Sequence, residues 1–101
     1  MPPGFKRYFL VYDPHGFDWD PAKSDRNFEA RGFDFGFAKQ VFRGEMLRRR
    51  DTRRSDEDVF QVLGEVSGVI LFVVYATRRG RIRIISARVA TAEEAKLYHD
   101  R

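Results

Sequence analysis

Two rhythms of apolar and polar positions run along this chain, one of helical period and one of strand period. Phe17-Asp18-Trp19 places a single polar residue between two aromatics and reads as a short strand. It leads into Asp20, a good helix cap, and Pro21, which suits the first helical position. The predicted helix runs to Arg31 and stops at Gly32, a residue at ease in left-handed backbone. Phe28 is its one large apolar side chain, while Lys23, Asn27 and Arg31 recur at spacing four and share a face. A second helix follows, capped by Asp34 and ended by Gly44, with Phe37, Ala38, Val41 and Phe42 as its apolar stripe. Joined by a tight turn, the two helices are expected to pack as a hairpin against an apolar surface.

That surface is predicted to be a sheet. Residues 46–51 open it, and residues 59–66, 69–77 and 81–88 carry stronger strand patterns. Ser67-Gly68 and Arg79-Gly80 each separate two β-rich runs and read as two-residue hairpin turns, so neighbours are antiparallel. Residues 69–75 are apolar on both faces, as in a central strand covered on both sides. Thr91 caps a last helix, with Glu94 completing a capping box. Residues 48–58 are nearly all charged and read as a solvated loop, and residues 8–12 as a short strand of open allegiance. The expected architecture is α+β: a short N-terminal strand and a two-helix hairpin on a three- to four-stranded antiparallel sheet, then a C-terminal helix. Residues 17–101 form the single domain, and residues 1–16 an N-terminal extension.

At 101 residues the chain supports one core. It lacks cysteine, which excludes disulfides and thiolate zinc sites and fits a reducing cytoplasm. Its longest apolar run, residues 69–76, is far too short to span a membrane as a helix. The formal charge of +4 is unevenly spread: residues 1–42 are neutral, and residues 43–88 hold eleven basic against six acidic groups. Fifteen of the nineteen basic residues are arginine, whose planar fork matches phosphate bidentately. A phosphate-bearing partner is therefore favoured over a neutral metabolite.

Several chemistries find no support. His15 and His99 lie near opposite ends, which disfavours a paired-histidine ribonuclease site. Asp56-Glu57-Asp58 is the one acidic run that could attract a hard cation, and it reads more simply as solvated charge. No phosphate-cradling glycine loop is present, and neither metal nor cofactor is expected. The strand arginines are more informative. Regular alternation places Arg81 and Arg83 with Ile85 on one face, and Ile82, Ile84, Ser86 and Arg88 on the other. Arg88 either lines a cleft or pairs with Glu93 or Glu94; Arg81 and Arg83 either coat a solvated face or meet phosphate.

Two blocks of residues resemble a known family. Phe-Asp-Trp-Asp-Pro-Ala-Lys (17–23), then Asn27, Gly32, Phe35 and Val41-Phe42, are similar to the opening of the BrnT toxins. Val-Tyr-Ala-Thr-Arg-Arg-Gly (74–80), Arg-Ile-Ile-Ser-Ala-Arg (83–88) and Ala90-Thr91 are similar to their C-terminal signature. The resemblance implies a RelE-like fold and a metal-independent ribonuclease toxin of a type II toxin–antitoxin system, acting on RNA and inhibiting translation. It further implies a cognate antitoxin partner that binds DNA on the toxin's behalf, and it accommodates a homodimer within the complex. Lys23, Asn27, Arg78, Arg83 and Arg88 match the family pattern, and Tyr98 sits where a terminal-helix aromatic is usual. Lys23, Arg83, Arg88 and Tyr98 are expected to be catalytic, and Asn27, Arg31, Arg78 and Arg81 to bind RNA. The family commonly has histidine before the glycine where this chain has Arg31-Gly32, and a guanidinium cannot act as a base. That departure leaves a second reading open: a non-catalytic module that binds antitoxin or nucleic acid.

Overall fold

The computed structural model describes residues 4–10, 16–53 and 58–101. Six strands form one mixed sheet: β1 (Lys6–Tyr8), β2 (Phe17–Trp19), β3 (Met46–Arg50), β4 (Asp58–Val66), β5 (Val69–Arg78) and β6 (Arg81–Val89). Their spatial order is β1-β3-β4-β5-β6-β2, and every pairing is antiparallel except the parallel β2–β6 contact. Three helices accompany the sheet: α1 (Pro21–Arg31), α2 (Phe35–Ala38) and α3 (Ala92–His99), with α2 tightening into a 3-10 turn at Lys39–Arg43. No helix among the described residues is long and apolar enough to cross a membrane.

The α+β class agrees with the sequence pattern, but the sheet is larger than three or four antiparallel strands. The two extra members are the three-residue edge strands β1 and β2, held by pairing with partners far away in sequence. Residues 6–8, within the segment expected to be an extension, zip onto β3, and Phe5 beside them is buried. The strand expected over residues 8–12 thus lies earlier, and its residues 11 and 12 fall outside the described residues, as do His15, Asp56 and Glu57.

Local chemistry explains most of the elements. Asp20 caps α1 through its side chain, accepting from the Ala22 amide at 2.9 Å, and Gly32 closes the helix at φ 85°. The Thr91–Glu94 capping box is complete at α3. Ser67-Gly68 and Arg79-Gly80 all take positive φ, the backbone of a mirror-image hairpin turn whose twist matches the strands.

Two apolar layers sandwich the sheet. On one face Phe33, α2 and the 3-10 turn cover Val62, Leu71, Val73, Tyr75, Ile82, Ile84 and Ala87; on the other, α3 brings Tyr98 against Leu63, Ile70, Phe72 and Val74. β5 is buried from Ile70 to Ala76, as its two-faced apolar pattern requires. Gly64 admits the closest approach: a β-carbon there would collide with a Val41 methyl.

The charged stretch 48–58 is a correction. Arg48, Arg49 and Arg50 are ladder members of β3, and Asp51 is fully buried, accepting from the Arg53 amide and from its guanidinium at 2.7 Å. Backbone pairing with β4 outweighs the polar composition, because strand arginines alternate faces and extend their heads to the rim.

Candidate functional site

The parallel register of β2 against β6 sets the site. Phe17 opposes Ile82, Asp18 opposes Arg83 and Trp19 opposes Ile84, so the two aromatics face the core while Asp18 faces out beside the arginines. Asp18 Oδ1 accepts from Arg83 Nη1 at 3.1 Å, and Arg81 Nη2 lies 3.6 Å from Oδ2. The Arg79-Gly80 turn folds Arg78 opposite Arg81. The short step from β2 into α1 brings Lys23, in the first helical turn, to the same place. Asp18, Lys23, Arg78, Arg79, Arg81 and Arg83 line a cleft of about 820 Å³, together with Asp20 and Asp58.

These ion pairs are exposed: the side chains of Arg83 and Asp18 keep 53% and 39% of their accessible surface. Pairs of that kind contribute at most about 1 kcal/mol. Two guanidiniums sharing one carboxylate in water can therefore exchange it for a phosphate at small cost. Phosphate offers more oxygens to the same forks and more negative charge.

Arg88 departs from the expected face. Val74 pairs with Ser86 and Tyr75 with Ile84, which leaves Ile85 as an extra residue on β6. The bulge inverts the alternation beyond it, so Arg88 shares the face of Arg81 and Arg83 rather than opposing them. It nonetheless stands roughly 16 Å along the strand from Arg83. There its guanidinium grips Glu94 through two hydrogen bonds of 2.8 and 3.1 Å and lies 4.1 Å over the Phe72 ring. Arg88 holds the Glu94 carboxyl below its ordinary range. The pairing with Glu94 raised from the sequence is the one the structure adopts.

Asn27, Arg31 and Tyr98 also lie outside the cleft. Asn27 is buried; its amide donates to the Phe33 carbonyl at 3.0 Å and its carbonyl accepts from Arg31 at 2.9 Å, fastening α1 to the turn before α2. Tyr98 is buried, donates to the Glu45 carbonyl at 2.8 Å and carries the Arg101 guanidinium over its ring. Burial pushes its phenol above the ordinary value, so at neutral pH it stays protonated. Of the residues expected to act, the fold brings together Lys23, Arg78, Arg81 and Arg83. Sequence reasoning missed Asp18, although its place between two aromatics in a strand signals a side chain turned away from the core.

A cleft lined by five cationic and three acidic side chains, built on a helix-backed mixed sheet, defines a small α+β protein with a predominantly basic surface cleft. Comparison with protein families sharpens that class. The family of ribonuclease toxins called BrnT, of type II toxin–antitoxin systems, matches residues 19–94, and the chain belongs to it. The matched span runs from β2 to α3 and includes Lys23, Arg78, Arg81, Arg83 and the Arg88–Glu94 pair. Membership implies an RNA target and an antitoxin partner. A comparison with curated proteins finds no match to the chain.

Proposed function

We propose that the protein is a metal-independent endoribonuclease that cuts RNA in the Asp18–Arg83 cleft. The observation that carries this reading is the convergence of Lys23 from α1, Asp18 from β2 and the arginines of the β5–β6 hairpin on one exposed cleft. Arg81 and Arg83 hold the non-bridging oxygens of the scissile phosphate, displacing Asp18 from their forks. The freed carboxylate takes the proton of the ribose 2′-hydroxyl as its oxygen bonds to phosphorus. The 5′-oxygen leaves as the old P–O bond breaks and receives a proton from the Lys23 ammonium or from water. Guanidiniums supply the positive charge that the phosphorane needs, and reliance on the 2′-hydroxyl selects RNA over DNA. In the cell this activity inhibits translation in the cytoplasm, and a cognate DNA-binding antitoxin restrains it.

Purified protein incubated with single-stranded RNA and a metal chelator tests the reading. Wild type yields cyclic-phosphate ends, and Arg83→Ala slows cleavage by about a hundredfold. RNA left intact by well-folded wild type overturns it. The second reading, a binding module without cleavage, is favoured by Arg31, which stands at the histidine position of the family resemblance and is bonded to Asn27. Cleavage that appears only in Arg31→His identifies that alternative.

A further inference from the structure

A second cationic hollow, of about 890 Å³, lies where β3 ends beside β1. Six cationic side chains line it against one acid, Asp51, which is buried and already occupied by Arg53. Its arginines are set on aromatic faces. The Arg48 guanidinium lies between two rings, 3.7 Å from the centre of Tyr8 and 4.3 Å from that of Phe60. Arg49 lies 4.2 Å over Phe5, with its Nε bonded to Gln61 at 2.7 Å. Stacked in this way, a guanidinium loses little further freedom on binding and keeps the edge of its fork for a phosphate.

The hollow adjoins the cleft. β3 ends, β4 begins, β5 ends and β6 begins at one end of the sheet, and Arg50 of the hollow is joined to Asp58 of the cleft at 2.7 Å. That bridge is exposed on both sides and is worth little in water. The two sites meet round the end of the sheet: Lys6, Arg48 and Arg50 share the face of Val62 and Phe60, Arg81 and Arg83 the face of Ala76, and the Arg50–Asp58 bridge joins the hollow to the cleft.

We infer that this hollow is a second RNA subsite, where single-stranded RNA leaving the cleft lays its phosphates on Lys6, Arg48 and Arg50. The inference rests on reading the cleft as an RNA site. Single strands are bound along continuous basic tracks, and the Arg50–Asp58 bridge makes this hollow continuous with the cleft. An acidic protein segment would use the charge but has no need of that continuity with the cleft.

Lys6→Gln with Arg50→Gln tests the inference, since both side chains are exposed and neither supports the core. The probes are uncleavable 2′-O-methyl RNAs, a trinucleotide and a strand of about ten residues. In the double variant the ratio of long to short affinity falls about tenfold, and the salt slope for the long strand falls by about 0.7 for each phosphate no longer neutralised. Lys96→Gln, on α3, leaves both unchanged. An unaltered ratio and slope in the double variant overturn the subsite. So does a variant that loses affinity for polyglutamate alone, which assigns the hollow to an acidic protein. If the long strand loses affinity while wild type cuts no RNA, the subsite stands and the nuclease reading falls. If wild type binds neither RNA, both fall.

Discussion

Arg83 and Arg88 face the same side of the sheet although an odd number of positions separates them, because Ile85 bulges out of the β5–β6 ladder between them. Their surroundings assign them opposite work. Arg83 points its fork into the cleft on an exposed carboxylate, and Arg88 clamps the start of α3 to the sheet through Glu94 and Phe72. Arg83→Ala is expected to keep stability within about 0.5 kcal/mol while losing RNA affinity and cleavage. Arg88→Ala should lower stability by about 1 kcal/mol and leave RNA affinity near wild type. Urea denaturation beside RNA titration separates the two, and a reversed pattern would move the site to Arg88.

Asp18 is the acid that sequence periodicity turns away from the core. Asp18→Asn keeps its shape and removes both the charge and the proton-accepting power. Single-turnover cleavage should slow by about a hundredfold or more, while RNA binds as tightly or tighter because no carboxylate competes for the arginines. A variant that cleaves at the wild-type rate would remove Asp18 from the mechanism.

Asn27 satisfies buried backbone at the turn between α1 and α2. Asn27→Ala leaves the Phe33 carbonyl without its partner and is expected to cost about 2 kcal/mol, read as a lowered melting temperature. Specific activity measured well below that temperature should change little. A large loss of activity in a fully folded variant would instead place Asn27 in contact with RNA.

Acid should weaken the fold by a mechanism that can be traced. Hydrogen bonds from Arg53 hold Asp51 below its ordinary 3.8, and those of Arg7 and Arg88 hold Glu45 and Glu94 below 4.5. The folded chain then stays ionised where the unfolded chain takes up protons, so these pairs stabilise fully above those ordinary values and progressively less as pH falls below them. Urea midpoints measured from neutral pH downward should decline on this limb. Asp51→Asn should flatten the decline while lowering stability at neutral pH. Equal acid slopes in the two proteins would refute the assignment to Asp51.

Much of the fold was legible because short-range forces set it. Asp20, Gly32 and the Thr91–Glu94 box act on amides a few residues away, and Arg79-Gly80 turns on its own dihedrals. The cleft was half legible for the same reason: Arg78, Arg81 and Arg83 converge through one hairpin. Alternation failed only where β6 takes an extra residue that no local pattern announces, and that failure put Arg88 on the wrong face.

What the chain's own letters determined is the order of helices and strands, the central place of β5 and an arginine-rich hairpin suited to phosphate. Tertiary structure alone decided that β1 and β2 edge the sheet, that Asp18 meets Arg83 across 65 positions, and that Asp51 is buried within a charged stretch. The physical reason is range. Caps, turns and periodicity are settled within a few residues, whereas pairing, burial and the meeting of charges depend on which distant segments the core draws together.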